Sequence, residues 1–364
     1  MPLSVRVDLT ERPRSVEYAV AVARASRIAL LALFALLATG IGLTPAQAGK
    51  PVSSGYSVYF SGSTTNAVTT PLGGALLAGG GTDSDAGMRW LLAQGGMRNG
   101  TGYGDVVVLR TSGSNGYNKY LLNFGANSVT SIVISTTAGA NSDYVKNAIA
   151  KAEVIFVAGG DQATYVNLWS GTALQAAVNA RVASGYPIGG TSAGLAVLGG
   201  FVFAALNGSA DSATVLANPY DPTVTLTDAL FTVPGLSNIV TDSHFVTRDR
   251  MGRLVTFLAR LQQDNRATAP QAIGVDETSA VGIAPGGAAT VYGAGSGAYF
   301  LRVNSGVTRT CQAGTALGYT PVGTVHVPVG KHFNLSTWSS SDAPAAYTLS
   351  AAGGRLTSST VSVY

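Results

Sequence analysis

Five short apolar runs, each stopping at a turn built of small residues, constrain this chain more than any other feature. Residues 74–78 run into Gly79-Gly80-Gly81-Thr82-Asp83, and residues 105–109 (DVVVL) into Arg110-Thr111-Ser112-Gly113. Residues 131–135 precede a helical stretch near 142–151. Residues 153–157 (EVIFV) meet Ala158-Gly159-Gly160-Asp161-Gln162 and a long helical segment to about 184, and residues 187–190 then meet Thr191-Ser192-Ala193-Gly194. Runs this short, apolar and β-branched suit strands buried on both faces, and the helical periods between them supply right-handed crossovers. The expectation is a doubly wound α/β fold with a mostly parallel sheet. Such sheets carry their functional groups at the carboxyl ends of the strands, where all the glycine-rich turns fall.

Beyond about residue 285 the pattern changes. Residues 289–292, 299–303, 324–329 and 347–350 are short β-branched or aromatic runs parted by Gly, Ser and Pro. They predict closing strands for a main domain over 71–306 and a β-rich C-terminal extension over 307–364. Residues 49–70, rich in Ser and Thr, read as a lead-in without periodicity.

Composition excludes several classes. Glycine occurs 46 times in 364 residues without a fixed period, which is not collagen-like. With 46% hydrophobic and 11% charged residues, the chain is neither a disordered polyelectrolyte nor a coiled coil. Residues 1–48 hold five Arg against Asp8, Glu11 and Glu17, leaving 17 basic against 15 acidic residues elsewhere, so no footprint for nucleic acid is present. A single cysteine, Cys311, excludes an internal disulfide and a cysteine metal cluster.

Residues 28–43 (IALLALFALLATGIGL) are apolar or small, with Arg24 and Arg27 before them and Ala46-Gln47-Ala48 after. Basic flank, apolar core and small-x-small ending are the parts of a signal peptide over 1–48, with cleavage expected between Ala48 and Gly49. At helical rise the run reaches only about 24 Å, short of a bilayer's hydrocarbon core. The expectation is a secreted or periplasmic protein with no stable membrane span after cleavage.

Gly190-Thr191-Ser192-Ala193-Gly194 fits G-x-S-x-G after an expected strand and before an apolar helix at 195–198. A serine on so sharp a strand-to-helix turn exposes its hydroxyl, and only tiny neighbours allow the bend. The N–H of Ala193 then lies at a helix N-terminus, where an oxyanion would form. A nucleophilic serine needs a base. Of three histidines, His326 and His332 fall in the β-rich extension, while His244 follows an apolar run and precedes an expected helix at 251–261, on the same edge of the sheet. His244 is the expected base. Candidate acids between Ser192 and His244 are Asp211, Asp221, Asp228 and Asp242. Asp221 sits in the rigid turn Asn218-Pro219-Tyr220-Asp221-Pro222.

Gly-Thr-Ser-Ala-Gly, the upstream Gly-Gly-Asp-Gln, the downstream Asp-x-His-Phe with Arg-x-Arg-x-Gly-Arg, and Gly-Val-Asp-Glu-Thr-Ser-Ala together resemble cyanophycinases. These are serine peptidases related to aspartyl dipeptidase E, with a fold similar to class I glutamine amidotransferase domains and flavodoxins. The resemblance runs from about Gly73 to Val303. It implies a Ser-His-acid triad with the acid before the histidine, which selects Asp221, 23 residues ahead of His244. It also implies hydrolysis of cyanophycin, a polyaspartate bearing amide-linked arginine, to β-aspartyl-arginine dipeptides. The N–H groups of Ala193 and Gly160 would hold the oxyanion. Asp161, Gln162, Asp242, Ser243, Arg248, Arg250 and Arg253 would meet the substrate's carboxylate and guanidinium groups. No metal or other cofactor is expected, the partner is a peptide substrate, and a homodimer is compatible with the pattern.

Two other readings compete. An esterase of the α/β-hydrolase type shares the elbow, but its histidine normally comes late in the chain, whereas His244 follows Ser192 by 52 residues. A secreted, non-catalytic binding protein on the same scaffold would lack a reactive Ser192.

Overall fold

The computed structural model of the protein describes residues 55–98 and 100–364. The expected signal peptide, and residues 49–54 of the expected lead-in, lie outside the described residues.

All five apolar runs form strands, and they lie parallel in the order Ser128–Ile134, Asp105–Arg110, Val154–Val157, Ile188–Thr191, Ala75–Ala78. Side chains alternate between two helical layers, as continuous burial requires. Val106 and Val108 pack with Leu91, Leu92 and Leu121 on one face. Val107 and Leu109 pack with Val145, Ile149 and Trp169 on the other. Local signals set the helix starts. Ser142 accepts from Val145 N at 3.2 Å to cap Asp143–Lys151, and Asp161 accepts from Ala163 N at 3.1 Å to cap Gln162–Trp169. The long helical segment expected to 184 is two helices, Gln162–Trp169 and Ala173–Ala183, parted at Gly171, whose φ of 71° no helix tolerates.

Three expectations change. Part of the lead-in is a strand: Tyr56–Gly62 closes one edge of the sheet antiparallel to Ser128–Ile134. Its burial is intermediate along most of its length, so it lacks the alternation that would have revealed it. On the other edge, Ser279–Ile283, Ala288–Gly293 and His332–Asn334 extend the sheet antiparallel to nine strands.

Second, the chain builds a separate eight-stranded sheet. Its strands Phe201–Phe203, Ile239–Asp242 and Gln271–Val275 are parallel, and Ala298–Thr310, Gly318–Val327, Tyr347–Ala352 and Arg355–Ser358 continue it antiparallel. Its own core joins Phe203, Val240, Leu254, Phe257, Leu258, Leu301 and Tyr319 beneath the helix Met251–Gln263. The strand preceding His244 therefore belongs to a different sheet from the strand preceding Ser192.

Third, the boundary expected at 306/307 falls inside the strand Ala298–Thr310, and the extension shares its sheet with residues 201–275. The β-rich tail is part of the same compact unit.

Candidate active site

The bend at Ser192 follows from its neighbours. A Cβ on Gly190 would overlap the carbonyl of Gly194, and one on Gly194 would overlap the carbonyl of Val157. With both positions reduced to hydrogen, Ser192 adopts φ 55° and ψ −117°, between the strand Ile188–Thr191 and the short helix Ala193–Ala196. Such a backbone costs on the order of 1–3 kcal/mol and persists only where its surroundings hold it.

The holding element is the turn after Ala75–Ala78, which the sequence marks only as a glycine-rich strand end. Three consecutive carbonyls accept there. Ala78 O takes Ser192 N–H at 3.0 Å, Gly79 O takes His244 N–H at 2.7 Å, and Gly80 O takes Thr278 N–H at 2.9 Å. The Thr241 hydroxyl donates to Leu195 O at 2.9 Å, tying the strand before His244 to the helix after Ser192. Segments from two sheets are thus hung on one short stretch of backbone. Gly80 also has no room for a side chain, because a Cβ would strike Cε1 of His244.

Ser192 Oγ lies 2.7 Å from His244 Nε2, and His244 Nδ1 lies 2.5 Å from Glu277 Oε1. An ionised carboxylate can only accept, so Nδ1 carries the proton and Nε2 offers its lone pair to the serine hydroxyl. Burial holds the imidazole below its ordinary pKa, opposed by the Glu277 hydrogen bond and reinforced by the charges of Arg248 and Arg250. At neutral pH the ring is a free base beside a hydroxyl.

Glu277 corrects the expected acid. Asp221 is turned onto its own loop, where Oδ1 accepts from Thr223 N at 2.9 Å and from Thr223 Oγ1 at 2.6 Å. These bonds hold its pKa below the ordinary value, and its carboxylate makes no bond to His244. Asp211 is likewise a helix cap, accepting from Thr214 N, and Asp228 pairs with Arg266 at 2.6 Å. Glu277 arrives from 33 residues after the histidine, on the three-residue step from Gln271–Val275 in one sheet to Ser279–Ile283 in the other. A signal was present: the apolar run Ala272-Ile273-Gly274-Val275 ends at two adjacent carboxylates, Asp276 and Glu277.

The expected substrate-binding residues divide. Arg253 is 1% exposed and forks onto Asp242, with Nε to Oδ2 at 2.7 Å and Nη2 to Oδ1 at 2.5 Å. Its Nη1 donates to Ser209 Oγ and Ala210 O. Asp242 and Arg253 satisfy each other in the interior, so neither is free for a ligand. Arg250 is held as well, donating to Ser243 O at 2.8 Å, and burial lowers its pKa to about 10. Arg248 differs: its side chain is 53% exposed, with Nε 3.7 Å from Glu277 Oε1. Asp161 is exposed and spends one bond per oxygen on its helix start. Gly159 lies alongside the serine, since a Cβ there would come 3.5 Å from Ser192 Cβ. Gly160, next to it, is required small by the Tyr165 hydroxyl.

Residues 115–288 match the profile of Peptidase family S51. A cyanophycinase from a Nostoc species is 30% identical over 136 residues, which is 37% of this chain and 42% of that protein. A cyanophycinase from Geminocystis herdmanii is 33% identical over 122 residues, 33% of this chain and 41% of that protein. The matched stretch thus spans less than half the length of these relatives. The crystal structure of a peptidase from an acI-B1 actinobacterium overlays with a TM-score of 0.43 at 14% identity, covering 72% of this chain and 97% of that one. By sequence the chain is similar to the cyanophycinase-like peptidases of family S51.

Proposed function

We propose that the protein is a serine peptidase that cleaves cyanophycin or related β-aspartyl peptides through an acyl-enzyme. The observation that carries this reading is the unbroken hydrogen-bonded chain Ser192–His244–Glu277 on a strained strand-end turn. Ser192 Oγ attacks the amide carbonyl while His244 Nε2 takes its proton. Glu277 holds the ring and stabilises the imidazolium that forms. The N–H groups of Ala193 and Gly160 receive the oxyanion. His244 then gives the proton to the leaving amine, and water, activated by the same imidazole, releases the acyl group.

Arg248 is the cation placed to meet a substrate carboxylate, and Asp161 and Gln162 are the polar groups left to receive amide or guanidinium, since Ser243 is 3% exposed and engaged by Arg250. The names of the relatives favour an aspartate- and arginine-rich substrate. The reading includes export, supported by the apolar run 28–43 and the Ala46-Gln47-Ala48 site. N-terminal sequencing of protein recovered from the producing cells should begin at Gly49.

The deciding experiment labels the protein with a fluorophosphonate and supplies insoluble cyanophycin and β-aspartyl dipeptides in parallel. Adduct formation in wild type and its loss in Ser192→Ala, with clearing of the polymer, is the expected outcome. Action on dipeptides alone would move the substrate to short peptides, and an unlabelled wild type would leave a binding protein.

A further inference from the structure

Beyond the strand Arg355–Ser358 the chain returns to the site, and we propose that Tyr364 is a positioning residue for substrate binding. Its hydroxyl pins the half of the 244–250 turn that carries Arg248 and Arg250. The inference rests on the peptidase reading above for its functional part.

The helix Met251–Gln263 begins behind Arg250, which makes no side-chain cap. An arginine has no acceptor to offer the first helical N–H groups, and its charge opposes the helix dipole. Tyr364 fills the gap. Its Oη accepts from Met251 N at 2.8 Å and donates to Asp249 Oδ1 at 2.9 Å. Asp249 stands at φ 47°, a left-handed backbone that needs an outside partner to persist. Burial keeps the Tyr364 pKa well above the ordinary phenol value, so the group remains a hydroxyl that can donate.

The ring is fixed independently. It packs edge-on against Phe245, with centroids 6.0 Å apart, and against Tyr299, at 5.8 Å. Tyr347 Oη donates to Val363 O at 3.0 Å, holding the adjacent residue to the second sheet. The tail therefore reaches the turn as a braced strut.

Beside the Ser212 hydroxyl, which donates to Asp249 O, two side chains hold the turn from different ends. Asp276 Oδ1 accepts from Val246 N at 3.0 Å, Thr247 N at 2.9 Å and Thr247 Oγ1 at 3.0 Å, fixing the half beside His244. Tyr364 holds the half with the arginines. Losing its hydroxyl should loosen Arg248, whereas Arg250 keeps its bond to Ser243 O and the Ser192–His244–Glu277 chain stays in place, which separates substrate binding from chemistry.

The test is Tyr364→Phe in the full chain, which keeps the ring and its packing. Against β-aspartyl-arginine peptides, KM should rise about three- to tenfold, the worth of a lost hydrogen bond or two, with kcat within about twofold. Fluorophosphonate labelling of Ser192, which needs no arginine, should proceed at the wild-type rate. Amide exchange at residues 248–251 should be faster. A purely structural role would instead lower the melting temperature and leave KM unchanged. A wild-type KM in Tyr364→Phe, or equal losses in kcat and labelling, would overturn the proposal. If wild type itself neither labels nor turns over peptide, the peptidase reading fails. Exchange at 248–251 still decides whether Tyr364 holds the turn: faster exchange supports that hold and unchanged exchange refutes it.

Discussion

Replacing Glu277 by Gln keeps the shape of the site and removes its charge. In the wild type, the carboxylate accepts from His244 Nδ1 at 2.5 Å, which leaves the Nε2 lone pair facing Ser192 Oγ at 2.7 Å. A glutamine that turns its NH2 toward Nδ1 would select the other tautomer, putting the proton on Nε2 and aiming a donor at the serine. It would also leave the imidazolium without a counter-charge during attack. Where such an acid is fully buried, as in the chymotrypsin-type triad, the loss is about 10⁴ in kcat. Glu277 is 28% exposed, so water recovers part of the orientation and charge. A loss of about 10²–10⁴ follows, or roughly 3–5 kcal/mol of transition-state stabilisation. Asp221→Asn, on a carboxylate engaged only with Thr223, should stay within about twofold of wild type. The assay is kcat/KM on a β-aspartyl peptide together with the rate of fluorophosphonate labelling, with far-UV circular dichroism to check the fold. Glu277→Gln at wild-type rates, or Asp221→Asn falling as far as Glu277→Gln, would refute the assignment.

Four further outcomes are expected. Arg253→Met would leave buried Asp242 with only its longer contact to Arg250, at 3.4 Å, and should cost up to about 3–5 kcal/mol in urea denaturation; an unchanged midpoint with a raised KM would return Arg253 to the substrate. Gly80→Ala would drive a methyl group into the imidazole, so labelling should drop at least tenfold while the protein still folds, and normal labelling would mean the turn is not the support described. Because burial lowers the pKa of His244, the unfolded chain binds its proton first as pH falls. The active neutral ring, and the stability of burying it neutral, are therefore present above about pH 6.5 and lost as pH drops through the lower folded value. Arg248→Gln removes a charge that disfavours the imidazolium, so the acid limb of the pH–rate profile should move upward; a downward move contradicts the electrostatics of the site.

The strands and turns of the parallel sheet, and the elbow at Ser192, were legible in the chain itself because their causes are local. Continuous apolar runs report burial on two faces, and Gly190 and Gly194 report a steric requirement satisfied within a few residues and one neighbouring strand. His244 could be singled out because so few histidines compete. The acid could not be assigned by proximity along the chain, because Glu277 acquires its partner only when Gln271–Val275 and Ser279–Ile283 enter different sheets and the step between them crosses beside His244. The sequence sets Arg253 beside His244 among the groups that would meet the substrate, whereas the second sheet buries it against Asp242. Tyr364 had no local reason to matter at all, since the partners of its hydroxyl lie 113 to 119 residues earlier. Periodicity and sterics act between near neighbours, whereas the choice of partner for a charge or a hydroxyl is made by whichever segment the tertiary fold brings alongside.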